Sequence, residues 1–132
     1  MNTTSGSRTL ETISIKIPAS PEYLHVVRLV AAGLASRISF TLEDIEDLKI
    51  AVDELSAYVT GAHGRLGTLD VSFTLDENRI EIRGAGHYTK DYEFRGDLTE
   101  FSRMILETVA DSAHLEATGD SPTFTVVKSR KQ

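Results

Sequence analysis

Three residues follow one another at intervals of four positions along one side of a predicted helix, and two of them have polar side chains that could take part in chemistry. They are Ile50, Glu54 and Tyr58. Side chains four residues apart are neighbours on a helix, so the Glu54 carboxylate and the Tyr58 phenol would lie one turn apart. A carboxylate held beside an apolar core can act as a general base, which makes Glu54 the leading catalytic candidate. The alternatives are a solvated or paired helix residue for Glu54 and an aromatic at the margin of the core for Tyr58.

The helix that would position these residues is predicted over 41–63. Its apolar residues recur at steps of three and four and form one stripe: Leu42, Ile45, Leu48, Val52, Leu55 and Val59. Thr41 is the expected N-cap, with Asp44 at capping-box distance, and Gly61 and Gly64 could end the helix. The first two turns hold four acids that suit the positive end of the helix dipole: Glu43, Asp44, Glu46 and Asp47.

The rest of the chain predicts a single α+β domain over 10–130, after a flexible stretch over 1–9. We expect strands over 10–17, 69–75, 80–83, 114–117 and 124–127, helices over 21–38 and 98–113, and an irregular loop over 84–96. This order predicts a two-layer α/β sandwich in which a mixed β-sheet carries three helices on one face.

Composition narrows the function further. The chain has 132 residues, 20 acids against 14 Lys and Arg, and a net charge of −6. An acidic domain is a poor ligand for nucleic acid phosphates, so we expect a basic protein partner instead. With no cysteine and four scattered histidines, no metal site is predicted.

No apolar run approaches the length of a membrane span, so we expect a cytoplasmic protein that does not enter membranes. The basic tail at Lys128, Arg130 and Lys131 is expected to be solvated.

The run 48–54, LKIAVDE, resembles the N-box helix of the GHKL-type (HATPase_c, Bergerat) ATPase fold. It is most similar to that of the small anti-sigma factors that are also serine-protein kinases, and the predicted order of elements fits that family over most of the chain. The resemblance implies ATP and Mg²⁺ as cofactors. It also implies a protein partner, either a sigma factor or a STAS-type anti-sigma antagonist, and a homodimer as one assembly.

The sequence departs from this family in all three nucleotide motifs. Glu54 matches the family's base, but the Asn that binds Mg²⁺ falls on Tyr58. In the Asp-x-Gly-x-Gly box the Asp position is Gly84 if Gly86 is the first family glycine, and it is Ile82 if Gly84 is; neither alignment gives a carboxylate.

The third motif is a phosphate-binding pair of glycines at the start of the last helix. These positions fall near Glu100 and Ser102, and a carboxylate there would repel phosphate. We therefore expect a degenerate nucleotide site that holds neither cofactor.

Three functions remain open. The first is an anti-sigma-like regulator that binds proteins without ATP, and the second is an active ATP-dependent serine kinase with an atypical pocket. The third is a structural α+β interaction or dimerisation module. Enzyme activity is thus undecided, and the segment from Lys90 to Arg95 is a candidate partner contact because it mixes charges with aromatic residues.

Overall fold

A computed structural model describes residues 10–61, 63–89, 98–116 and 121–131. It contains five strands and three helices in these ranges: β1 Glu11–Pro18, α1 Leu24–Arg37, α2 Leu42–Thr60, β2 Gly67–Leu75, β3 Arg79–Tyr88, α3 Glu100–Val109, β4 Ser112–Glu116 and β5 Thr123–Ser129. A short 3-10 turn, Pro21–Tyr23, precedes α1. The predicted flexible stretch 1–9 and the candidate contact 90–95 lie outside the described residues.

The strands form one sheet in the order β1-β2-β3-β5-β4. The α+β class is confirmed, but the expectation of a mixed sheet was wrong, because every neighbouring pair is antiparallel. The connection from β3 through α3 to β4 does join two strands of the same direction, as a crossover helix usually does. However, β5 returns between these two strands and is antiparallel to both, so they never become neighbours.

The core lies between the helices and one face of the sheet. Alternate residues of β2 and β3 are buried, as expected when only one face of an antiparallel sheet is covered. The largest fully buried side chains come from both layers and include Phe73, Phe124, Leu48, Leu55, Leu69 and Ile82. This packing fixes α2 above β3 and β5 and α3 beside α2 and β4, and it thereby positions the candidate site.

Helix α2 confirms most of its predicted features. The Thr41 side chain caps the helix by accepting a hydrogen bond from the Asp44 backbone N–H at 3.1 Å. The helix ends at Gly61, whose φ of 76° lies in the left-handed region that favours glycine. Leu48 and Val59 of the stripe are buried, whereas Leu42 is exposed because it precedes the part of the helix that packs on the sheet.

Two predicted boundaries near the site were wrong. β3 continues to Tyr88 in a region predicted as an irregular loop, because its second half pairs with β2 as far as Gly67. α3 ends at Val109 rather than residue 113, because Ala110 is extended and the Asp111 backbone N–H bonds to the Val127 carbonyl at 2.9 Å. The residues after that point form β4.

The expectation of a solvated basic tail was wrong for Lys128, whereas Lys131 is exposed. Lys128 is buried within β5, and its Nζ lies 3.8 Å from Asp44 Oδ1 and 3.8 Å from Asp47 Oδ2. Lys131 Nζ lies 3.8 Å from Glu43 Oε1, and its backbone N–H donates to Asp44 Oδ2 at 3.2 Å. The end of β5 is therefore tied to the start of α2. Within the described ranges, no helix combines the length and hydropathy that a membrane span requires.

Candidate functional site

The structure brings three of the predicted site residues into one hydrogen-bonded cluster. Glu54 and Tyr58 extend from the middle of α2, and Ser102 extends from the first turn of α3. The Ser102 hydroxyl donates to Glu54 Oε2 at 2.5 Å, and the Tyr58 hydroxyl lies 3.1 Å from Ser102 Oγ. The side chains expected to replace a nucleotide motif thus contact one another directly.

Thr99 completes this cluster, and we predicted no role for it. It is the N-cap of α3, where its Oγ1 accepts a hydrogen bond from the Ser102 backbone N–H at 3.0 Å. Its own backbone N–H donates to the Tyr58 hydroxyl at 2.9 Å, and its Oγ1 hydroxyl donates to Ser102 Oγ at 3.0 Å. The sequence did offer a cue, because Thr three residues before Ser102 fits the spacing of an N-cap.

While Tyr58 is protonated, the bond from Ser102 to Glu54 sets the direction of the other hydrogen bonds in the cluster. The single proton of the Ser102 hydroxyl goes to Glu54, so Tyr58 donates its own hydroxyl proton to Ser102 Oγ. Ser102 Oγ therefore donates once and accepts twice, from Tyr58 and Thr99. Once ionised, the Tyr58 oxygen can only accept, and hydrogen bonds donated to it by Ser102 and then by Thr99 hold the pKa of Tyr58 below its ordinary value, against the opposing effects of burial and of the Glu54 carboxylate. The cluster is a closed polar contact between α2 and α3.

Gly84 lies on the helix-facing side of β3, directly opposite Phe124 of β5. A Cβ placed on Gly84 would come within 2.2 Å of the Phe124 ring, which therefore occupies the space in front of this glycine. Gly84 was predicted as a degenerate nucleotide-motif position, and here its lack of a side chain serves internal packing.

Gly86 lies two residues further along the same face of β3. A Cβ there would approach the ring of Tyr88 to 2.6 Å. The Tyr88 hydroxyl donates a short hydrogen bond to the Val59 carbonyl near the end of α2. The ring thus closes the gap between β3 and α2. We did not predict Tyr88 as a site residue, because the sequence placed it in a loop.

Glu100 is exposed at the first position of α3, where its charge suits the helix dipole. It does not join the cluster formed by Glu54, Tyr58, Thr99 and Ser102. In the described part of the chain, no three His, Asp or Glu side chains are grouped as metal ligands would be.

Comparisons with known proteins find relatives in sequence and a likeness in fold. The serine-protein kinase RsbW of Halalkalibacterium halodurans is 47% identical over 73 residues, which cover 54% of this chain and 45% of that protein. RsbW of Bacillus pumilus is 42% identical over 81 residues, 58% of this chain and 50% of that protein. This chain therefore spans about half the length of the curated relatives it matches. No family model matches it.

A solved structure of the RsbU and RsbW domains of Rv1364c from Mycobacterium tuberculosis has the same fold. It matches with a TM-score of 0.67 and 16% identity, over 91% of this chain and 32% of the other. At 16% identity the match is evidence of a shared fold only. Together the comparisons confirm the expected resemblance: over about half of its length this chain is similar to the RsbW serine-protein kinases, and it shares the fold of the solved RsbU and RsbW domain structure.

Proposed function

We propose that this protein is a cytoplasmic anti-sigma-like regulator that acts by binding another protein and does not use a nucleotide. Its partner is a sigma factor or a STAS-type anti-sigma antagonist, and the net charge of −6 makes direct binding to nucleic acid unfavourable. The observation that carries the proposal is the cluster of Glu54, Tyr58, Thr99 and Ser102, because it uses the polar atoms that a nucleotide site would need.

The residues present are a poor match to Mg-ATP. Mg²⁺ prefers carboxylate, carbonyl and water oxygens in octahedral geometry. Tyr58 offers a phenol that is already bonded to Thr99 and Ser102, and the Glu54 carboxylate already accepts from Ser102. The spaces in front of Gly84 and Gly86 are filled by aromatic rings of the protein itself. The exposed carboxylate of Glu100 at the start of α3 would repel phosphate.

The outward side of α1 has features of a protein-binding surface. Val26 and Leu29 lie there three residues apart, and Tyr23 of the preceding 3-10 turn lies three residues before Val26. All three are exposed although large and apolar. Gly33, one turn beyond Leu29, has nothing within 4 Å of the position of a Cβ. Grouped exposed apolar residues typically mark interaction sites, whereas single ones do not.

Titration calorimetry with Mg-ATP tests the nucleotide part of the proposal. We expect no saturable binding, that is, a Kd weaker than about 1 mM or −4 kcal/mol. RsbW of Bacillus pumilus, run under the same conditions, is the comparison protein. A micromolar Kd for this chain would refute the proposal and favour the active serine kinase with an atypical pocket.

Co-purification with the sigma factors and STAS-type proteins of the source organism tests the partner. We expect one of them to elute with this chain in size-exclusion chromatography, and the same run reports whether the chain alone is a homodimer. Leu29→Glu should abolish the complex, whereas Leu66→Glu should not. The two leucines are 63% and 64% exposed, so they are matched in accessibility, and Leu66 lies in the loop before β2. Equal loss in both variants, or no complex with any candidate, would count against an anti-sigma role.

The acidic start of α2 adds a prediction about how the partner arrives. Of the four acids expected to attract a basic partner, Asp44 is fully buried, whereas Glu43 and Glu46 remain on the surface. Steering between exposed charges is screened over roughly 8 Å at physiological salt, so association should slow as salt rises. The double variant Glu43→Lys, Glu46→Lys should remove this salt dependence; an unchanged slope would refute the electrostatic step.

A further inference from the structure

Strand β4 is the outermost strand of the sheet beside α3. It spans Ser112–Glu116 and pairs with β5 on one side. On its other side, none of the described residues pairs with it. Unpaired backbone N–H and C=O groups at such an edge are a template for an added strand.

The edge at β1 has several features that discourage strand addition, and β4 has fewer of them. β1 carries Lys16 on its exposed face, ends at Pro18, and is crossed by the ion pair between Glu11 and Arg37 at 2.5 Å. Charged residues and proline on an edge strand oppose the addition of another strand. On β4 the residues that face the helices are Ala113 and Leu115, which are apolar and only partly buried.

A groove follows the same edge. It lies between α3 and β4 and has a volume of about 180 Å³, enough for one large apolar side chain. Its apolar lining consists of Leu98, Leu106, Ala110 and Ala113. Because three of these residues are only partly buried while packing against the core, the margin of the core is uncovered here.

The charges around the groove are mainly acidic. Glu107 and Asp111 line it together with a single cation, Arg103, and Glu116 stands exposed at the end of β4. An occupant with basic residues therefore fits this surface better than an acidic one.

From these observations we infer that the β4 edge binds an extended segment of a protein partner by strand addition. On its helix-facing side the segment carries an apolar residue that enters the groove beside Leu106, and lysine or arginine residues two positions away on the same face approach Glu107 and Asp111. Backbone hydrogen bonds along β4 supply affinity, and the groove and its acids supply selectivity, as in other recognition by sheet extension. The β4 edge lies outside the cluster of Glu54, Tyr58, Thr99 and Ser102, so this inference does not depend on whether the protein binds ATP.

The experiment is an NMR titration of the full chain with a capped synthetic peptide of repeating lysine-threonine-valine-threonine, which places valine and lysine on the same face of the added strand. We expect chemical-shift changes at the amides of 112–116 and at Arg103 and Glu107, with slower hydrogen exchange in β4. A peptide of the same sequence with alternate backbone nitrogens methylated should not bind, because it cannot complete the hydrogen-bond ladder. Equal binding of the methylated peptide would overturn strand addition.

Two variants of α3 provide a matched test of the charge argument. Glu107→Lys reverses a charge that lines the groove, and Glu100→Lys makes the same change at an exposed position of the same helix outside it. We expect about three- to fivefold weaker binding of the peptide for Glu107→Lys and little change for Glu100→Lys. Equal effects would refute the assignment. Protection of β4 that rises with protein concentration in the absence of peptide would also refute it, and would assign the edge to a second copy of the chain.

Discussion

The Ser102 hydroxyl donates a hydrogen bond of 2.5 Å to the carboxylate of Glu54. This contact joins the first turn of α3 to the middle of α2, at two positions that the family resemblance assigns to separate nucleotide motifs. The same hydroxyl accepts from Tyr58 and Thr99, so its removal would leave several polar groups without their partners. The nucleotide-motif positions therefore contribute to the stability of the fold itself.

Ser102→Ala should destabilise the protein by about 1–3 kcal/mol, because partly buried polar groups of Glu54 and Tyr58 lose their partner. Urea unfolding followed by circular dichroism measures this change. Ser72→Ala, on the open face of β2, is the control and should change stability by less than about 0.5 kcal/mol. If both variants were equally stable, the cluster would contribute nothing to the junction of α2 and α3.

The lowered pKa of Tyr58 predicts a dependence on alkaline pH. Because the hydrogen bonds with Ser102 and Thr99 lower the folded-state pKa, the folded state favours the ionised phenol. The stability contributed by this ionisation grows as pH rises from the folded pKa to the unfolded value of about 10. It is fully present above that value and is lost as pH falls through the folded pKa.

Urea unfolding of the wild type and of Tyr58→Phe across this alkaline range tests the sign. The stability difference in favour of the wild type should widen as pH rises, and the earliest component of the tyrosinate absorbance should be missing from the variant. A difference that narrows would mean that the proton donated to Ser102 matters more than the phenolate.

Most of the fold could be predicted from the sequence, because hydrophobic period and cap residues are local features. The stripe of α2 and the cap at Thr41 depend only on neighbours within a turn or two. The length of β3 could not be predicted in this way. Its glycines at 84 and 86 are typical of a loop, and they are extended here because β2 pairs with them and aromatic rings fill the space beside them.

The sequence drew attention to members of the hydrogen-bonded cluster but not to the contacts among them. Glu54, Tyr58 and Ser102 were identified by their positions in motifs, but the contact between residues 48 positions apart depends on how α3 packs on α2. The same limit applies to Lys128, which a local reading placed in a solvated tail. Its burial follows from the antiparallel position of β5 between β3 and β4, which no local pattern specifies.

Gly84→Ala should destabilise the protein by about 1–3 kcal/mol, because the added methyl group would clash with the Phe124 ring at 2.2 Å. Phe124→Leu removes the ring, so adding it to Gly84→Ala should restore part of the stability that Gly84→Ala loses. Calorimetric melting of the two single variants and the double variant forms a double-mutant cycle. The loss of stability in the double variant should be smaller than the sum of the two single losses. Strict additivity would mean that Gly84 is required for its backbone and not for the space it leaves to Phe124.

The last prediction concerns the tie between β5 and α2. Asp44 is fully buried, lies 3.8 Å from the buried Nζ of Lys128, and also accepts from the Lys131 backbone N–H. Removing one member of a buried pair leaves the other charge uncompensated, and the loss is larger than the net value of the pair. Asp44→Ala should therefore destabilise the protein by about 3 kcal/mol in urea unfolding. Asp47 also lies 3.8 Å from Lys128, and the loss is smaller to the extent that Asp47 compensates the lysine charge.

Glu43→Ala is the matched control, since Glu43 also lies 3.8 Å from a lysine but is 74% exposed. Exposed pairs contribute about 0–1 kcal/mol, so this variant should behave nearly as the wild type does. The double variant Asp44→Ala, Lys128→Met should recover much of the loss, because it removes the uncompensated charge and leaves an apolar chain of similar length. If Lys128→Met restored nothing, the cost of Asp44→Ala would have to come from the lost cap of the Lys131 backbone, and the buried pair would not stabilise the junction of β5 and α2.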